Sequence, residues 1–134
     1  MPRPKHEHPT PAELEVLRIL WQRSPLSVRE VMDALNRRRP RAYTSVMSLL
    51  GVMTDKGLLV RKPDGRAYVY APKVPRKRTV SRMVADLLGR ACEGSADLMV
   101  AHLLEEARPT AAELAAIRQV IAEYEDQHRP REKP

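Results

Sequence analysis

Phenylalanine is absent from this 134-residue chain, which contains one Trp, four Tyr, one Cys and five Gly. So few aromatic side chains leave an aliphatic interior, of the kind helices build. A single cysteine, Cys92, excludes an intramolecular disulfide framework and any zinc site made from several cysteines. His6 and His8 flank Glu7 near the start, while His102 and His128 stand alone, a number and spacing that support no closed metal site. No apolar run approaches the ~18–20 residues that a membrane span needs, so no membrane insertion is expected. The opening Met1-Pro2-Arg3-Pro4-Lys5-His6 lacks the apolar stretch of a signal peptide, and the expected location is the cytoplasm. There is no Gly-rich phosphate loop, nucleophile elbow or HExxH motif, so neither an enzyme nor a cofactor is expected. What is present is a hydrophobic content of 43%, enough for a globular core in one domain or two small ones.

The charge is unevenly placed. The formal net charge is +7. Residues 1–75 hold 14 of the 24 basic side chains but 7 of the 17 acidic ones, and the remainder carries ten of each. The excess therefore lies entirely in the first half, where its natural partner is a polyanion. Arg outnumbers Lys by 18 to 6, and a planar guanidinium suits bidentate contact with phosphate or guanine, although base composition of a genome produces the same bias.

Residues 1–8 are polar and punctuated by proline, as in a loose tail. Thr10-Pro11-Ala12-Glu13 is a capping box with proline at the first helical position, followed by Leu14, Leu17, Leu20 and Trp21 at helical spacing to about Arg23. Ser24-Pro25 ends this segment, and Ser27-Val28-Arg29-Glu30 caps a second helix with Val31, Ala34 and Leu35 on one stripe to about Arg38. A third helix from about Ala42 to Lys56 buries Val46, Leu49, Leu50 and Met53 and closes at Gly57. Its other face carries Thr44, Met47, Ser48 and Gly51, with no carboxylate before Asp55, and looks kept clear for close approach.

Leu58–Lys62 and Arg66–Tyr70 flank Pro63-Asp64-Gly65, which predicts a β-hairpin with Asp-Gly in its turn. Alternation puts Ala67 and Val69 on one strand face and Arg66, Tyr68 and Tyr70 on the other. Three helices followed by a basic hairpin is the order of a winged helix-turn-helix. Pro72, Pro75 and Arg76-Lys77-Arg78 read as a linker.

Beyond the linker, Met83, Val84, Leu87 and Leu88 mark a fourth helix ending near Cys92. Leu98, Leu103 and Leu104 mark a fifth opened by Gly94-Ser95. A third capping box, Thr110-Ala111-Ala112-Glu113, opens a sixth helix with Leu114, Ile117, Ile121 and Tyr124 in line. Three helices in about 55 residues make too thin a core to stand alone, which argues for dimerisation through these stripes. The expected fold is mainly α with a small β-hairpin wing, divided into residues 9–74, a winged helix, and 75–128, a helical dimerisation module, with tails at 1–8 and 129–134.

The run Thr10–Leu17 with Leu20-Trp21, the segment Ala42–Met47, Lys56-Gly57-Leu58-Leu59 and Gly65–Tyr70 together resemble the penicillinase repressor (BlaI/MecI) family of winged-helix regulators. The resemblance extends through Val100–Glu106 and covers about residues 9–127. It implies a homodimeric transcriptional repressor whose third helix enters the major groove of operator DNA, whose wing touches the backbone, and whose C-terminal helices interlock. It also implies release by a sensor-activated protease in a β-lactam response. This sequence has Thr44, Met47 and Val52 where family members often place Arg or Lys, and His102-Leu103 where the cleaved repressors have Asn-Phe. The cysteine-rich C-terminus of the copper-responsive relatives has no counterpart in Arg129–Pro134.

The candidate DNA-binding residues are Arg41, Tyr43, Thr44, Ser45, Met47 and Ser48 at the third helix, and Arg61, Lys62, Arg66 and Tyr68 on the hairpin. Each has a plainer reading, as the polar face of an amphipathic helix or as a charge-protected strand edge. Arg37-Arg38-Arg39 is equally a second backbone clamp or a soluble loop, and Trp21 reads as core. Cys92 reads as a buried, inert thiol rather than a redox switch. The rival functions are a winged helix that docks proteins and an architectural DNA binder without sequence preference.

Overall fold

The computed structural model describes residues 8–129. The sequence expectations for residues 1–7 and 130–134, including the His6 and Glu7 pattern and most of both tails, lie outside them. The order is α1 (Pro11–Gln22), β1 (Leu26–Ser27), α2 (Val28–Asn36), α3 (Tyr43–Asp55), β2 (Leu59–Asp64), β3 (Ala67–Pro72), α4 (Arg76–Ala91), α5 (Ala96–Ala107) and α6 (Ala111–Gln127). The fold is mainly helical with one small antiparallel sheet, in the strand order β1-β3-β2. Two compact units divide it, Met1–Asp86 and Leu87–Pro134.

All three capping boxes form. At α1 the Thr10 hydroxyl accepts from the Glu13 amide at 3.2 Å, and the Glu13 carboxylate accepts from the Thr10 amide at 2.9 Å. Ser27 and Glu30 do the same for α2, and Thr110 and Glu113 for α6. These reciprocal bonds satisfy amides that the first turn of a helix leaves without partners.

The core of the first unit is aliphatic. Val16, Leu17 and Leu20 of α1, Val31 and Leu35 of α2, and Val46, Leu50 and Met53 of α3 meet Leu26, Leu59 and Tyr70 from the sheet. Trp21 packs against this cluster, and its indole Nε1 donates to the Val74 carbonyl at 3.1 Å. A tie of that kind fixes the chain leaving the sheet.

Four details differ from the sequence reading. Ser27 is both the cap of α2 and half of a two-residue strand, pairing Leu26 with Tyr70 and Ser27 with Val69. The hairpin turn centres on Gly65-Arg66, because Asp64 pairs directly with Ala67 and Pro63 with Tyr68. Gly65 has φ +63, which suits glycine at the first central position of a type II′ turn. Tyr70 is buried in the core rather than lying on an open basic and aromatic face. Finally, Arg76-Lys77-Arg78 is the first turn of α4, not a linker, since a Pro75 carbonyl accepts from Thr79 and starts the helix there.

The second unit is different in kind. Among the described residues after Asp86, Cys92 alone is buried. Glu93 and Gly94 both take positive φ, turning the chain sharply between α4 and α5, and Ser95 caps α5 by accepting from the Leu98 amide. None of the described helices is long and apolar enough to cross a membrane.

Candidate nucleic-acid interface

Helix α3 is fixed from below by Val46, Leu50 and Met53, with Leu49 half-buried beside them. At 3.6 residues per turn, Thr44, Ser48 and Gly51 then follow one another along the opposite pole, with Met47 on one flank and Val52 on the other. Tyr43, Thr44, Ser45, Met47 and Ser48 are all exposed. Ala42 precedes the helix and supplies no side-chain cap, so the first amides of α3 remain open to an external acceptor.

Arg41 behaves differently from its neighbours. Its guanidinium Nη2 donates to Glu15 Oε2 at 2.7 Å and its side chain is 14% exposed. Its own amide donates to Asn36 Oδ1 at 2.8 Å. Arg41 therefore anchors the α2–α3 loop to α1 instead of pointing outward. The hydrogen bond from Arg41 holds the Glu15 carboxyl below the ordinary carboxylate range against the opposing effect of burial, and Arg39 and Arg38 add to it. Arg37, Arg38 and Arg39 lie exposed along that loop.

The hairpin side chains separate by register. Arg61 pairs with Tyr70 and Pro63 with Tyr68, so Arg61 and Tyr68 share the sheet face that continues from the core. The Arg61 guanidinium carbon sits 4.4 Å from the Tyr68 ring centroid, a cation–π contact that holds the charge at the wing. Lys62 pairs with Val69 on the other face, and Arg66 occupies the turn. One sheet face thus offers Arg61 with Tyr68, while Lys62 serves the reverse side.

Sequence reading missed Arg29. Its guanidinium carbon lies 5.8 Å from the Tyr43 ring centroid, which sets a cation beside the start of α3. Its place in the α2 capping box gave no hint of this, because the contact crosses between helices. By contrast, Lys56 is spent inside the molecule: its Nζ lies 2.9 Å from the Oε2 of buried Glu13.

Six of the eleven apolar residues assigned to dimerisation lie open in the single chain. Val84, Leu87, Leu98, Leu103, Ile121 and Tyr124 are exposed, Leu103 by 56% and Tyr124 by 62%. Met83, Leu88, Leu104, Leu114 and Ile117 are half-buried. His102 and Leu103 are both exposed within the unbroken helix α5. Among the described residues, no three of His, Cys, Asp and Glu gather where they could hold a metal ion.

The family profile described as Penicillinase repressor matches residues 9–123. The chain belongs to the penicillinase repressor family. It is similar to a transcriptional regulator BlaI of Mycobacterium tuberculosis, 38% identical over 87% of this chain and 84% of the relative. It is also similar to a penicillinase repressor of Bacillus licheniformis, 25% identical over 86% of this chain and 90% of that one. Among solved structures, the DNA-binding domain of the repressor BlaI is 28% identical, with a TM-score of 0.47 over 51% of this chain and 83% of its own. As a member of this family, the chain is a winged-helix transcriptional regulator. The family match spans nearly the same stretch as the motifs that resembled it, 9–123 against about 9–127.

Proposed function

We propose that the chain is a homodimeric repressor that binds a pseudo-palindromic operator in double-stranded DNA and blocks transcription by excluding RNA polymerase. Residues 9–74 act as the DNA-binding part and 75–128 as the dimerisation part. The observation that carries this reading is an outward α3 face free of charge from Tyr43 to Thr54, with Arg29 set beside its first residue Tyr43 and the further exposed cations Arg61 and Arg66 on the hairpin that follows it in the chain. Such a helix fits a major groove while the cations meet phosphates on either side. Arg41 contributes by fixing the loop that orients α3.

The exposed apolar rows of α4, α5 and α6 support the homodimer. A second copy removes them from water, and a pseudo-palindromic operator then calls for two α3 helices roughly 34–36 Å apart, or a multiple of it. Family membership supports a β-lactam response relieved by a sensor-activated protease. The His102–Leu103 bond is our candidate for the cleaved one, on exposed side chains of α5.

Fluorescence anisotropy of the full chain with an inverted-repeat duplex tests the reading. Tighter binding than to a scrambled duplex, weakening steeply as salt rises, supports it. Equal binding to both duplexes makes the protein an architectural binder, and binding to neither, with charge reversal at Arg61, Lys62 and Arg66 changing nothing, makes it a protein-docking module.

A further inference from the structure

We infer that α3 selects its DNA sequence through thymine methyl groups, read by Met47 and Val52. The inference rests on the reading of α3 as the helix that enters the major groove. The strong side-chain pairings in that groove are Arg or Lys with guanine, Asn or Gln with adenine, and Asp or Glu with cytosine. From Tyr43 to Thr54 this helix contains none of those six residue types, and the first is Asp55 at its end. Thr44 and Ser48 supply hydroxyls, which bond to several base edges and discriminate weakly.

Met47 and Val52 supply what remains. They are 47% and 46% exposed, on either flank of the outward pole, where a solvated helix ordinarily carries Lys or Glu. The distinctive apolar group in the major groove is the C5-methyl of thymine, and an exposed thioether or isopropyl group is its complement.

Gly51 lies between them for a reason that the chain by itself does not contain. Glycine inside a helix is less stable than alanine by roughly 0.5–1 kcal/mol. Yet a Cβ at this position would meet no atom within 4 Å beyond its chain neighbours and the backbone of its own helix, and the backbone here is ordinary helix rather than the positive-φ conformation of Gly57. A missing side chain on the outward pole lets base edges come close to the helix axis, within reach of Met47 and Val52.

The test begins with selection of duplexes from a random library by the full chain. Each thymine of the selected duplex is then replaced by deoxyuridine, which differs by the methyl alone. At one or more positions in each half-site the affinity falls ~4-fold, the value of one buried methyl-sized group. Met47→Ala or Val52→Ala then binds the thymine and uracil duplexes equally at the matching position. Gly51→Ala raises the melting temperature while weakening binding to the selected duplex. Indifference to uracil at every position overturns the inference and leaves the repressor reading standing, as does a Gly51→Ala variant that gains stability without losing affinity. Failure to enrich any duplex over random DNA overturns both.

Discussion

Replacing Lys56 by Met removes the cation that compensates a carboxylate buried between the start of α1 and the end of α3. Glu13 is 2% exposed, and its Oε2 lies 2.9 Å from Lys56 Nζ. Burial pushes the Glu13 pKa up, but the Thr10 amide and the Lys56 ammonium together outweigh it, and the carboxyl sits below its ordinary value of 4.5. The two single substitutions are therefore unequal. Lys56→Met strands a buried charge that keeps only its bond from Thr10, and should cost about 3 kcal/mol, the lower end for breaking a buried pair. Glu13→Gln keeps an acceptor for Thr10 and leaves Lys56, whose side chain is 37% exposed, to turn toward water. It should cost about 1 kcal/mol. The double variant should fall close to Glu13→Gln alone and well short of the sum, because the stranded charge is gone. Since the folded pKa is depressed, the wild-type pair stabilises fully above pH 4.5 and loses its effect as the pH falls through the folded value. In Lys56→Met the folded pKa rises instead, so its deficit shrinks on going from pH 7 to pH 4. Urea unfolding followed by the fluorescence of Trp21, which packs on this core, measures all four proteins. A Lys56→Met protein within 0.5 kcal/mol of wild type, or one more stable than Glu13→Gln, would refute the reasoning.

Three further outcomes follow from the geometry. Arg61→Ala and Arg66→Ala should each lower the slope of log affinity against log salt by about 1, whereas Arg41→Ala, tied to Glu15, should lower the stability of the first unit and leave that slope nearly unchanged. If the chain is the proposed dimer, a carboxylate in the apolar row, as in Leu103→Glu, should convert it to monomer in sedimentation while leaving helix content intact, because Leu103 is 56% exposed in the single chain. Gly65→Val should destabilise the hairpin by about 1–2 kcal/mol in urea unfolding, since φ +63 is strained for a branched side chain.

Local chemistry was the legible part. Each capping box joins residues three apart, so Thr10 with Glu13, Ser27 with Glu30 and Thr110 with Glu113 could be read before any fold was known. The stripe Val46, Leu50 and Met53 was legible for the same reason, and with it the outward face of α3. Contacts across the chain were not. Arg41 looked like a phosphate ligand, and nothing near it in sequence announces Glu15, 26 residues earlier. Tyr70 and Tyr68 share a strand face, but the core ends between them, so alternation placed both in one environment although one is buried and the other exposed. β1 escaped because two residues have no period, and its Ser27 already had a role as a cap. In the second unit the apolar rows were plain from their spacing, and many of their side chains lie exposed in the structure.

The most direct test of the central claim is the mass of the complex that the full chain forms with its selected duplex, measured by sedimentation at several protein concentrations. Two chains on one duplex are expected, with the same chain dimeric before DNA is added. A complex saturating at one chain per duplex, or a free chain that stays monomeric while binding equally well, contradicts the account.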